Sequence, residues 1–322
     1  MPGSRIKFAV LLAAGISCSA GAQNYPNKPV KLVVGFAPAG AADFVARAMS
    51  EPLSRALGQP VVVENRAGAG SSIAAEYVAK AAPDGYTLLI ASPSSISVNP
   101  AVNPKLGYTA RDLAPVIKVS SSPLVIAVNN GLGVGSIRDL IVLAKKSPGK
   151  LNYASSGNGS APHLSGVLFT RLAGLDMVHV PFKGGGPAVQ SVIAGDTQLT
   201  FGTPPSVLPL MQAGRLKGLA VSSRARSPLV PDLPGMGEAG LPDYDMSFWY
   251  GFFVPAGTPP GIIKRIFDAA AQVVQLPEVR QAFAREGTET ATSRSPEDFA
   301  AFVAEDAKFW VRLVKDAKIT VD

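Results

Sequence analysis

Two short runs of small and polar residues hold most of the chemistry that this sequence offers. The first is Phe36-Ala37-Pro38-Ala39-Gly40-Ala41-Ala42-Asp43, and the second is Ser155-Ser156-Gly157-Asn158-Gly159-Ser160-Ala161-Pro162-His163. Each follows a β-branched stretch and opens a segment of helical period. The first N–H groups of a helix have no intrahelical acceptor, and small side chains let a ligand approach them. Such a turn therefore offers unpaired donors at the positive end of a helix dipole, which suits a carboxylate or other anion. Asp43 is placed to cap the first helix. A single Gly-rich strand-to-helix turn is more often just a turn. Two of them facing one cleft make an anion clamp the stronger reading.

Other chemistries fit less well. No Gly-x-Ser-x-Gly elbow is present, and Ser160 with His163 lies one helical turn apart without a third member, so a hydrolase lacks its nucleophile machinery. The two histidines, His163 and His179, have no spaced carboxylate partner, and no metal is expected. His163 begins a helix, where a local partner explains it as well as a ligand does, and His179 reads as structural. Neither Gly68-Ala69-Gly70 nor Gly131-Leu132-Gly133 completes a dinucleotide fingerprint, and no Walker lysine follows a Gly-rich loop, so no cofactor is expected. Further candidate cleft edges are 65–70, 92–95 and 182–186. Lys183 precedes three glycines and could attract an anion, although a solvated loop lysine is an equal reading.

The elements that must position these turns alternate. Strands over Val30–Val34, Val61–Val63 and Tyr86–Ile90 are separated by helices over Asp43–Leu57 and Ile73–Ala82. Pro52 should kink or split the first helix. A second block follows Leu124–Val128, with helices 136–146, 163–172 and 187–194 and strands 151–154, 177–180, 198–201 and 216–221. After a Pro-rich stretch, Phe248–Val254 is strand-like, and helices follow over 262–274, 278–285 and 296–315. A helical tail without strands of its own must pack on a sheet already made. Returning the chain through Phe248–Val254 gives two α/β lobes joined by two crossing strands, with a cleft beyond the carboxyl ends of the strands. The expected division is 23–123 with 246–322 in one lobe and 124–245 in the other.

At 322 residues, 47% hydrophobic and 16% charged, the chain can bury a core of about two domains, and 32 Gly with 28 Pro are scattered without a period. The net charge of +7 is spread with no basic block longer than two, which argues against a nucleic-acid partner. The first residues have the pattern of an export signal. Arg5 and Lys7 precede the apolar run Phe8–Ile16, and Ala20-Gly21-Ala22 is a small-residue cleavage site, with the cut expected after Ala22. Cys18, the sole cysteine, lies inside this segment, so the mature chain has none. The expected location is the periplasm, with monomer as the default state.

The ordered set of Pro29–Val34, Pro38–Asp43, Val63–Arg66 with Gly68 and Gly70, Asp84–Leu89, Ser156–Ser160 with His163-Leu164, His179–Gly184 and Pro255–Pro260 resembles the Bug family. These are periplasmic solute receptors of tripartite tricarboxylate transporters. The resemblance covers nearly all of the mature chain. It implies a two-lobe Venus flytrap fold of the type II periplasmic-binding-protein kind, a small carboxylated solute, delivery to a membrane permease, and no catalysis. Carried onto this sequence, it gives ligand-binding roles to Phe36, Pro38, Gly40, Ala41 and Asp43 in the first lobe, and to Ser156, Gly157, Gly159, Ser160 and His163 in the second. Two departures stand out. Gly40-Ala41-Ala42-Asp43 replaces the usual adjacent glycines, and Gly202-Thr203 stands where the family often has Asp-Asn. The far end of the pocket is therefore expected to be less polar, with Ser94, Ser95, Thr203 and Trp249 as further lining candidates. An extracytoplasmic sensor presenting its solute to a signalling partner is the alternative use of the same fold.

Overall fold

The computed structural model describes residues 25–317 and 319; the expected export signal with its expected cleavage site, and Cys18, lie outside the described residues. Val30–Val34 (β1), Val61–Asn65 (β2) and Thr87–Ala91 (β3) run parallel, with β1 between the other two. They are connected by the helices Ala41–Leu57 (α1) and Ser72–Ala79 (α2). Leu32, Val33 and Val34 are fully buried, because helices cover both faces of the parallel strands and no side needs to be polar. The short helix Asn99–Val102 (α3) leads to Leu113–Pro123 (β4), an 11-residue strand for which the sequence gives no pattern.

The chain enters a second sheet at Val125–Val128 (β5). There follow Ile137–Lys146 (α4), Asn152–Ser155 (β6), Ala161–Ala173 (α5), Val178–Pro181 (β7), Gly185–Ala194 (α6), Leu199–Gly202 (β8), Pro204–Gln212 (α7) and Lys217–Val221 (β9). It then returns through Ser247–Pro255 (β10), and ends with Pro260–Val274 (α8), Pro277–Arg285 (α9), Glu289–Thr290 (β11) and Pro296–Asp316 (α10). Among the described residues the sheet orders are β11-β4-β10-β3-β1-β2 and β7-β6-β8-β5-β9. The helical tail packs on the first sheet, where β10 is antiparallel to both β3 and β4. The connections between the sheets are thus two: from Pro123 into β5, and from β9 back into β10.

Two local expectations change. Pro52 does not break α1, which runs continuously over 17 residues. Val45, Met49, Leu53 and Leu57 lie on one buried face spanning the proline, and their packing outweighs the ~3 kcal/mol that an interior proline costs. The N-cap of α1 is Gly40, not Asp43, which lies within the first turn. Gly58, at φ 77°, closes the helix as a left-handed C-cap.

Candidate functional site

Asp43 fixes the first turn. Its Oδ2 accepts from the Ala39 amide at 3.1 Å and its Oδ1 from Asn65 Nδ2 at 2.9 Å, while Arg47 Nε lies 2.9 to 3.0 Å from both oxygens. Asn65 Nδ2 also donates to the Phe36 carbonyl at 3.0 Å, so the start and end of the turn are tied to one point. Burial raises the pKa of this carboxyl, but the hydrogen bonds from Arg47, Asn65 and the Ala39 amide outweigh it and hold the group below its ordinary value. The network keeps Ala39 at φ 64°, a left-handed conformation that costs a non-glycine residue energy, and leaves the N–H groups of Ala41 and Ala42 without an intrahelical acceptor.

The second turn is built on a histidine pair. Ser160 caps α5, its Oγ accepting from the His163 amide at 3.4 Å. His163 Nδ1 in turn accepts from the Gly159 amide at 3.1 Å, which places the proton of the neutral ring on Nε2. Its ring stacks on His179 with centroids 3.9 Å apart, and His179 Nε2 bonds Ser155 Oγ at 2.6 Å. Ser155 Oγ also accepts from the Gly157 amide at 3.1 Å. Burial, with the neighbouring His179, pushes His163 down to about 3, and burial pushes His179 down to about 4. Both rings are neutral at physiological pH and hold the turn from behind.

The two turns meet across a narrow cavity of about 20 Å³, room for little more than one water. Phe36, Gly40, Ala41 and Ala42 line it from the first turn, and Ser156 and Pro162 from the second. Gly185, Ala188 and Val189 on α6, Thr200, Gly202 and Thr203 at the end of β8, and Tyr250 on β10 complete the wall. No charged side chain is among them. The N-termini of α1, α5, α6 and α7 converge here, so positive potential comes from helix ends and peptide N–H groups.

The edges of the cavity are in direct contact. The Ala37 amide donates to the Lys183 carbonyl at 3.0 Å, a main-chain bond between the two sheets' loops. Gly70, at φ 57°, packs so closely that a Cβ there would overlap the Asn158 carbonyl oxygen, and a Cβ on Gly159, at φ 71°, would overlap Asn99 Oδ1. Only glycine supplies both the conformation and the clearance at these two points. The geometry is that of a closed cleft.

Of the residues singled out in the sequence, Phe36, Gly40, Ala41, Ser156 and Thr203 line the cavity. Pro38, Asp43, Gly157, Gly159, Ser160 and His163 belong to the two turns without lining it. Ser94 and Ser95 are buried in a wide helical turn over Ser94–Val98, where Ser95 Oγ bonds the Ser92 carbonyl at 3.4 Å. Trp249 lies in the core, its Nε1 donating to Asp306 Oδ2 at 2.7 Å alongside Trp310 Nε1 at 2.8 Å. Lys183 is exposed. Ala42 and Pro162 line it from within the two runs read in the sequence, Gly185 from the candidate edge 182–186, and Gly202 from beside Thr203; the lining residues that sequence reasoning passes over are Ala188, Val189, Thr200 and Tyr250, none of which carries a local signal. A larger groove of about 810 Å³ runs between α8 and the start of α10, lined by Ile263, Phe267, Arg294 and Pro296 among others. It lies on the outer face, and none of the cleft's converging helix N-termini reaches it.

The sequence profile described as "Tripartite tricarboxylate transporter family receptor" matches residues 45–319. The chain belongs to this family. It is 36% identical over 308 residues to protein BugT of Bordetella pertussis, covering 95% of this chain and 94% of that one. It superposes with a TM-score of 0.88 on Rpa4515 of R. palustris with adipate, at 34% identity over 92% of this chain and 99% of the other. On MatC of Rhodopseudomonas palustris with bound malate the TM-score is 0.85, at 31% identity over 90% and 100%. The fold is therefore that of the Bug-type periplasmic solute-binding receptors. Among the described residues no cluster of three metal-ligating side chains occurs, and no helix is long and apolar enough to cross a membrane.

Proposed function

We propose that this receptor captures a small carboxylated solute between two lobes, residues 23–123 with 246–322 and residues 124–245, and hands it to the membrane permease of a tripartite tricarboxylate-type transporter. The observation that carries the reading is the convergence of helix N-termini on a cavity without charged side chains, where an anion would be held by main-chain N–H groups and hydroxyls. Phe36, Gly40, Ala41, Ser156 and Thr203 contact the solute directly. Pro38, Asp43, Gly157, Gly159, Ser160 and His163 shape the turns that hold its carboxylate. The adipate and malate held by the two R. palustris proteins are carboxylates, which agrees with this class. The protein works as a monomeric binder without catalysis, in the periplasm, after cleavage behind Ala22.

The mechanism is closure. A solute that touches both turns binds the closed arrangement more strongly than the open one, and only that difference in affinity shifts the population. Calorimetric titration of the mature protein with aliphatic mono- and dicarboxylates and their amides tests the reading. Binding of a carboxylate with no binding of its amide is the expected result, and equal binding of acid and amide would refute the anion clamp.

A further inference from the structure

The cavity wall contains one side chain that belongs to neither turn. Tyr250 sits on β10, the strand that returns the chain to the first sheet, paired there with Ser120 of β4. It is 6% exposed and its ring is held edge-on against Phe248 at 5.3 Å, so its position is set by the sheet and not by a mobile loop. Three other buried tyrosines have partners. Tyr25 donates to the Gly85 carbonyl, Tyr108 to the Ser95 carbonyl, and Tyr244 to the Ser165 carbonyl. The Tyr250 hydroxyl has no hydrogen-bond partner among the described residues. Nor is it sealed: among the described residues the fully enclosed, unpartnered side-chain atoms are Ser71 Oγ, Ser97 Oγ, Thr288 Oγ1 and Thr292 Oγ1. Its oxygen keeps open surface, and the space beside this residue is the cavity that it lines. Tyr153 is also buried without a partner, but it packs beside His179 and does not line the cavity.

When a solute fills the cavity and shuts water out, a hydroxyl left without a partner would cost about 1–3 kcal/mol, a cost that an acceptor on the solute avoids. Burial alone pushes the Tyr250 phenol up, with no hydrogen bond acting on it, so it stays neutral and remains a donor. We propose that Tyr250 is a solute-binding and specificity-determining residue, donating its phenolic proton to an oxygen of the captured solute. The inference rests on the carboxylate reading and deepens it. Because the donor comes from the crossing strand, it reads a second point on a solute already held by the turns. The solute class is then a carboxylate bearing a second oxygen function, such as a hydroxyl, a carbonyl or another carboxylate, and not a plain alkanoate.

The test is calorimetric titration of wild type and Tyr250→Phe with succinate, malate, adipate and hexanoate, the last having the chain length of adipate without its second oxygen function. Wild type should prefer an oxygen-bearing acid over hexanoate. Tyr250→Phe should weaken that acid about 10- to 100-fold, the effect of losing a hydrogen bond to a charged or strongly polar acceptor. The same variant should leave hexanoate and the melting temperature of the unliganded protein unchanged. Undiminished affinity for oxygen-bearing acids in the variant, or equal binding of hexanoate and adipate by wild type, would overturn the role of Tyr250 and leave the clamp intact. Failure of every carboxylate to bind wild type would overturn both.

Discussion

Lowering the pH from 7 to 5 should destabilise this receptor through the stacked pair His163–His179. The rings lie 3.9 Å apart with no carboxylate bonded to either, and His163 Nδ1 is already occupied by the Gly159 amide. In the folded chain they titrate at about 3 and about 4, against 6.5 for an ordinary imidazole. The unfolded chain therefore binds more protons through this range, so stability is fully present above pH 6.5 and is lost as the pH falls towards 4 and then 3. At pH 5, one and a half units below the ordinary value, each neutral ring forgoes about 2 kcal/mol at ~1.4 kcal/mol per unit. His179 is only partly buried, and discounting it for solvent gives about 3 kcal/mol for the pair, or roughly 5 °C in melting temperature for a chain of this size. Urea denaturation at pH 7, 6 and 5, followed in parallel for wild type and His163→Asn/His179→Gln, measures it. The wild type should lose that stability and the variant most of its pH dependence. Equal pH slopes in the two proteins would show that the histidine pair is not the acid-sensitive element.

Three further outcomes follow from the geometry. Gly70→Ala places a Cβ into the Asn158 carbonyl only when the cleft is closed, so it should abolish the ligand-induced decrease in radius of gyration in small-angle scattering and weaken affinity at least 10-fold. A decrease like that of wild type would refute the close approach. At Gly40 a Cβ alone meets only ordinary contacts, at 3.6 Å from the Ala37 carbonyl and 3.7 Å from the Gly185 amide nitrogen. Gly40→Ala should therefore be mild, whereas Gly40→Val should fill the cavity and remove carboxylate binding, as read by calorimetry. Asp306→Ala strips the acceptor from two indole N–H groups at once and should cost about 2–4 kcal/mol in denaturant unfolding, most of it from leaving them unpaired; a loss below 1 kcal/mol would show that water replaces the carboxylate.

The alternation of strands and helices was legible because Leu32–Val34 in β1 and Leu88–Ala91 in β3 are buried apolar runs, and because Gly58 and the small-residue turns mark where helices stop and start. β4 was not legible. Its sequence contains Pro115, Lys118 and Ser120–Ser122, and it is a strand because β10 and β11 pair with it, which local pattern cannot reveal. α7 was hidden by Pro204, Pro205 and Pro209, although a helix tolerates proline in its first turn. In the site, the turns could be read from composition, since small residues before a helix state their own geometry. Val189, Thr200 and Tyr250 could not. They come from a helix, a strand of the second sheet and the returning strand, and they share a wall only once the chain has folded back on itself.

The absence of charge from the cavity wall bears on how this receptor can change. A guanidinium that grips a carboxylate is a single codon, deleted or reversed by one substitution. A grip made of peptide N–H groups belongs to no side chain, so an alanine scan over Ala37–Ala42 would pass over it, and only proline or an ester in place of the amide would remove a donor. The anchor is thereby insulated from drift while the surrounding side chains remain free to vary. With the anchor proposed here, new solutes would be acquired by altering Val189, Thr203 or Tyr250 without rebuilding the part that recognises negative charge.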